Sequence, residues 1–280
     1  MRKNNIIRIA EIRLNHLGSE QIAKKYLNNL INTRIDGVSF QIKKETFYKK
    51  FKLAINQKDR SFAKNFREPD FFLNIIKNNK VKKLVYTSSS AIFGIPDYNP
   101  VNEETAPKPL EPYGKAKYDA EILCHEYIKL GLDISIIRPR TIIGHGRLGI
   151  FSILFDWIKN GYNVPVLDQG NNIYQFIHAE DLAEICWRAS KQKGSEVYNA
   201  GSSKLYTMRE TLEGLCKYAN TGSKVKSLPM YLVEKGINLF NFLCLSPLGK
   251  YHSLMYGRSL YFSNDKVQKK LKYKTKYDNI

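Results

Sequence analysis

Tyr113 and Lys117 open a helical pattern in the run Tyr-Gly-Lys-Ala-Lys. Residues four apart share one face of a helix. An ammonium beside a phenol favours the phenolate, so this pair is suited to moving a proton. Three serines, Ser88, Ser89 and Ser90, stand 23 to 25 residues upstream. A serine hydroxyl near the phenol can hold a substrate oxygen beside it. A bare Tyr-x-x-x-Lys also occurs on many solvated helix faces, so its surroundings decide what it means.

The elements that must position these residues can be read around them. Lys83–Thr87 is a short β-rich apolar run, expected as a buried strand that delivers the serines from its end. Tyr118–Leu130 continues the helix with an apolar face of Ala120, Ile122, Leu123, Tyr127 and Ile128. Asp133–Arg138 reads as the next strand, stopped by Pro139. Phe151–Lys159 and Thr207–Tyr218 read as amphipathic helices, and Val164–Leu167 as a short strand. His178, at a strand end beside a helix start, is expected to be structural rather than a base.

Ser89, Phe93-Gly94 and Pro112-Tyr113-Gly114-Lys115-Ala116-Lys117, in this order, resemble the extended short-chain dehydrogenase/reductases, the NAD-dependent sugar-nucleotide epimerases and dehydratases. Arg138-Pro139-x-Thr141-x-x-Gly144 resembles the family's Arg-Pro loop, Asn171–Ala183 its later strand and helix, and Glu196–Gly201 its late strand. Leu260–Tyr273 resembles a C-terminal strand and helix of the substrate-binding part. The resemblance implies Tyr113 as base, Lys117 as its electrostatic partner and ribose contact, and Ser89 as holder of the reacting oxygen. It implies Arg138 and Pro139 beside the cofactor, NAD or NADP. Ser90, Thr141 and Arg147 would then face a nucleotide-sugar substrate. Dehydratases of the family carry an Asp-Glu pair where this chain has Ser90-Ala91, so epimerisation or reduction is expected. The resemblance further implies a homodimer through the helix carrying Tyr113.

The first 48 residues read differently. Ile6–Ile12 and Val38–Ile42 look like strands flanking a helix over Gln21–Thr33, a unit that most often makes parallel strands. Ile9-Ala10-Glu11-Ile12, Asn15-His16, Gly18 and Asp36-Gly37-Val38-Ser39-Phe40-Gln41 resemble the start of the sialic acid synthases. In that family this stretch begins a barrel whose site needs the ends of several strands. Here it is expected as a remnant or fusion. Residues 49–68 read as a junction and 69–280 as the epimerase-like domain. The expected architecture is α/β: an incomplete Rossmann-like parallel sheet with a small C-terminal substrate-binding part, preceded by a strand–helix–strand unit.

A dinucleotide pyrophosphate ordinarily rests on a Gly-rich turn at a helix N-terminus. Before Ser88 the chain has only Gly18 and Gly37, and neither belongs to such a turn. The competing expectation is therefore a chimeric or decayed protein without cofactor-dependent activity, acting at most as a binding domain.

Composition narrows the field further. The net charge is +19, and residues 1–83 hold 20 Lys and Arg against 7 Asp and Glu. The lysines alternate with asparagines and no nucleic-acid motif accompanies them, so no nucleic-acid partner is expected. No apolar run reaches the roughly 18 residues of a membrane span. Ile237–Leu245 is too short and reads as a buried helix. Cys124, Cys186, Cys216 and Cys244 are widely spaced, with no metal-binding pattern, and a cytoplasmic location is expected.

Overall fold

The computed structural model describes residues 9–13, 37–40, 82–145, 151–231 and 255–278. The chain divides into two compact units, residues 1–81 and 82–280. In the first, β1 (Ile9–Arg13) and β2 (Gly37–Phe40) pair in parallel, as expected of these two strands. The helix expected over Gln21–Thr33 and the apolar run Ile237–Leu245 lie outside the described residues.

The second unit is built on a parallel sheet in the order β3-β4-β8, with β3 at Leu84–Thr87, β4 at Ile134–Pro139 and β8 at Glu196–Ala200. Leu84 pairs with Ile134 and Thr87 with Ile137, while Arg138 pairs with Asn199 on the other side. Every residue of β4 is buried. A strand buried on both faces reads as a continuous apolar run, which is how Ile134, Ile136 and Ile137 appear. Each fully buried isoleucine contributes about 1.5–3 kcal/mol.

Adjacent residues of β4 point to opposite faces, and each face carries its own helix. Ile137 packs with Ile185 and Ala189 of α3 (Ala179–Lys191) and with Val267 and Leu271 of α5 (Asp265–Leu271). Arg138 turns the other way, onto α1 (Pro112–Lys129). The sheet is thus covered on both sides, the Rossmann-like arrangement expected. At its start, Lys83 Nζ bonds the Asp133 carboxylate at 2.6 Å and the Gly194 carbonyl at 2.7 Å, tying the entries of the three strands together.

A second core forms the C-terminal part. β6 (Val164–Leu167) pairs in parallel with β9 (Val225–Leu228), under α2 (Ser152–Lys159) and α4 (Met208–Ala219). Its centre is Phe151, Val166, Tyr174, Phe176, Met208 and Leu212. A capping box sets the start of α4: Thr207 Oγ1 accepts from the Glu210 N–H, and the Glu210 carboxylate accepts from the Thr207 N–H.

Two strands differ from expectation. Thr141–Ile143, expected as loop after Pro139, is a strand, β5, paired in parallel with β7 (Phe176–His178). Proline ends β4, yet a β-branched triplet resumes pairing one residue later. β9 has no apolar run to reveal it, since three of its four residues are exposed.

Candidate active site

The serines leave the carboxyl end of β3, where parallel sheets place their ligands. Ser89 caps a 3-10 turn over Ser90–Phe93, its Oγ accepting from the Ala91 N–H at 3.2 Å. Gly94 closes the turn at φ +58°, a conformation that favours glycine. Beneath the turn, Ile92 and Phe93 are buried with Val101, Leu260 and Phe262.

Pro112 occupies the first turn of α1, where its missing N–H costs nothing. Gly114 brings this helix onto the serine turn: a Cβ there would lie 2.4 Å from the Ala91 carbonyl oxygen. Tyr113, beside Gly114, is half-exposed. One turn on, the Lys117 ammonium donates to the Thr87 carbonyl at 2.8 Å. Its nitrogen stands 5.9 Å from the centre of the Tyr113 ring and 5.3 Å from that of Tyr86. Burial pushes Lys117 below its ordinary range, and the nearby Glu121 carboxylate pulls it back up. Tyr113, Lys117 and the serine turn thus meet at the ends of β3 and β4.

Other expected residues lie around this group in different settings. Arg138, expected beside a cofactor, is engaged by Glu121. Its Nη2 bonds Glu121 Oε2 at 2.7 Å, its Nε bonds Oε1 at 3.0 Å, and its Nη1 donates to the Glu103 carbonyl at 3.1 Å. Both side chains are buried, so this fork holds α1 against β4. Pro139 is buried at the end of β4, paired with Ala200. The Thr141 hydroxyl shares a 2.9 Å hydrogen bond with Tyr174 Oη. Ser90 Oγ accepts from Arg140 Nη1 at 2.8 Å. Ala91 is buried, and neither it nor Ser90 offers a carboxylate. Arg147 lies outside the described residues. His178 caps α3, its Nδ1 accepting from the Glu180 N–H at 3.3 Å, and stacks on Tyr277 with ring centres 3.9 Å apart.

Three residues of this neighbourhood are missing from the expected set: Glu121, Arg140 and Tyr174. Glu121 was within reach, because it continues the Tyr113–Lys117 face by four more residues. Arg140 and Tyr174 meet only through the β5–β7 pairing, which no local pattern announces.

A parallel sheet covered on both sides, with the serine turn and the Tyr113–Lys117 helix at its carboxyl end, is a Rossmann-like fold. The NAD dependent epimerase/dehydratase family model matches residues 49–201, and the chain belongs to that family. The match takes in the stretch 49–68. The chain is similar to an uncharacterized protein of Sinorhizobium fredii, 53% identical over 200 residues, covering 71% of this chain and 50% of the relative. It is also similar to a UDP-glucuronate 4-epimerase of Thermodesulfobacterium geofontis, 34% identical over 139 residues, or 47% of this chain and 42% of that one. The chain spans about half the length of these curated relatives or less. Among solved structures, the UDP-glucuronic acid 4-epimerase of Bacillus cereus in complex with NAD matches its fold with a TM-score of 0.64. That match is 17% identical and covers 99% of this chain and 88% of the other. Among the described residues, no helix is long and apolar enough to cross a membrane.

Proposed function

We propose that this protein acts as an NAD(P)-dependent nucleotide-sugar epimerase or reductase, inverting a sugar carbinol by oxidising and re-reducing it or reducing a sugar carbonyl, within surface-polysaccharide sugar metabolism in the cytoplasm. The observation that carries this reading is the meeting of Tyr113, Lys117 and the Ser89 turn at the carboxyl ends of β3 and β4. Tyr113 Oη takes the proton of a sugar hydroxyl and returns it. The Lys117 ammonium stands one helical turn on, 5.9 Å from the centre of the Tyr113 ring. Ser89 Oγ holds the reacting oxygen. The absence of an Asp-Glu pair at Ser90-Ala91 favours epimerisation over loss of water.

The residues present fit one end of a nicotinamide dinucleotide. An ammonium has three donors, and among the described residues Lys117 gives one of them to the Thr87 carbonyl, so ribose hydroxyls suit the others. When bound, that group accepts hydride from the sugar carbon and gives it back. The pyrophosphate end lacks a Gly-rich turn in this sequence. Losing such contacts weakens binding on the order of 10³-fold. That absence favours a second reading, a chimeric or decayed binding domain with residues 1–48 as a synthase-derived fusion, 49–68 as its junction and 69–280 as the epimerase-like domain. Under the first reading a homodimer would form through α1.

Fluorescence titration with NADH and NADPH separates the readings. The expected result is saturable binding below millimolar cofactor, lost in Lys117→Ala, with the tighter of the two identifying the cofactor. No binding up to millimolar concentration overturns the enzymatic reading and leaves the second.

A further inference from the structure

Arg140 stands between the end of β4 and the start of β5. Its backbone N–H donates to the Ala200 carbonyl at 2.8 Å, and its side chain is buried. The guanidinium carbon lies 5.0 Å from the centre of the Tyr174 ring and 5.9 Å from that of Phe262. Arginine stacks on aromatic faces through its flat, weakly hydrated cation, and a buried contact of this kind is stronger than an exposed one. Tyr174 is itself held, by the 2.9 Å bond between its Oη and Thr141. Phe262 is held edge-on against Phe93 of the serine turn, with ring centres 5.7 Å apart. From this mounting Arg140 reaches Ser90 Oγ at 2.8 Å.

We propose that Arg140 is a positioning residue of the reaction: stacked on Tyr174 and Phe262, it fixes the Ser89–Ser90 turn through the Ser90 hydroxyl and so sets where the sugar oxygen is held relative to Tyr113. This rests on the epimerase reading above. The physical reason is directional. A hydroxyl that accepts from a guanidinium turns its own proton away from that guanidinium. Ser90 is thereby fixed as a donor, and its backbone cannot drift from β4. Ser89, one residue earlier, inherits that placement. Tyr174 belongs to the C-terminal part and Phe262 to the core beneath the serine turn, so Arg140 makes the position of that turn depend on how the two are packed. A displacement of about 1 Å at a reacting group costs about 10²-fold in rate.

The test uses Arg140→Met, Arg140→Lys and Ser90→Ala in the full chain. The methionine variant keeps length and apolar bulk but removes the fork; the lysine variant keeps charge. Amide hydrogen exchange without any ligand reads the turn directly. In Arg140→Met, peptides covering 88–94 should exchange at least about tenfold faster, with α4 unchanged. With UDP-glucose and NAD as probes, kcat should fall about 10²-fold while KM changes less than about threefold, and Arg140→Lys should recover part of kcat. Arg140→Met combined with Ser90→Ala should be no worse than Arg140→Met alone, because both cut one link. Ser90→Ala keeps the test open if Arg140→Met does not fold. Unchanged exchange at 88–94, acceleration spread equally over α4, or additive losses in the double variant would overturn the proposal. A wild type that does not turn over UDP-glucose, but whose exchange responds as expected, removes the epimerase reading for that sugar and retains the fixing of the turn.

Discussion

Tyr113 shows how little a residue's chemistry has to do with its contribution to the fold. Half of its surface is exposed, and its ring meets the Lys117 ammonium edge of the site rather than a core. Removing the hydroxyl in Tyr113→Phe should therefore leave the melting temperature within about 2 °C of wild type. Epimerase turnover should fall about 10²- to 10⁴-fold, the range for a lost general acid–base group. Calorimetry and a coupled turnover assay check the two halves. At this scale the sequence was informative for Tyr113 and Lys117, whose spacing a helix translates directly into proximity. Arg138 was not legible in the same way. Its place in an Arg-Pro motif gave no sign that Glu121, 17 residues earlier, would take its guanidinium.

On the scale of elements, α1 is seated by that buried pair and by the approach of Gly114. Glu121 does two things at once, because it neutralises Arg138 and raises the proton affinity of Lys117 that burial lowers. Glu121→Gln leaves the Arg138 charge without its ionic partner, and breaking a buried pair costs about 3–5 kcal/mol. Replacing both residues by methionine should return most of that stability, because neither charge then has to be desolvated. The sign of the pH effect follows from Lys117. Without the Glu121 charge its ammonium is lost at lower pH, so the alkaline limb of activity in Glu121→Gln should move down in pH. A pH–rate profile that stays in place, or moves up, contradicts this coupling. Among the described elements, α1, α2, α4, β3, β4 and β6 were readable from periodicity, and α3, α5, β7 and β8 from the family resemblance. β5 was hidden by the proline before it, and β9 by its exposed, weakly apolar side chains.

Across the whole second unit, stability depends on ties between residues distant in sequence. Asp181, at the start of α3 and fully buried, accepts from Tyr273 Oη at 2.6 Å, from the Lys276 N–H at 2.9 Å and from the Tyr277 N–H at 3.1 Å. The segment 273–277 is thereby fastened beside His178, whose ring Tyr277 covers. Asp181→Ala leaves those donors unmatched, which should cost about 3 kcal/mol. Thermal denaturation should register it as a fall of roughly 6–12 °C. Amides of 273–277 should lose exchange protection before those of β4. None of these ties shows in the sequence, because they join residues more than 90 positions apart through a carboxylate that looks like an ordinary member of a helix's first turn.

The close approach of α1 to the serine turn has a consequence for how this chain tolerates variation. Any side chain at position 114 would meet the Ala91 carbonyl at 2.4 Å, where backbone rather than a movable side chain stands in the way. Overpacking of this kind costs about 1–3 kcal/mol and shifts the helix that carries Tyr113. In a library of all single substitutions, a screen for protein abundance and a screen for turnover should both reject changes at 114. At 113 the two screens should part, with abundance retained and turnover lost. Neighbouring codons would then record two different pressures, one to keep the helix seated and the other to keep its phenol.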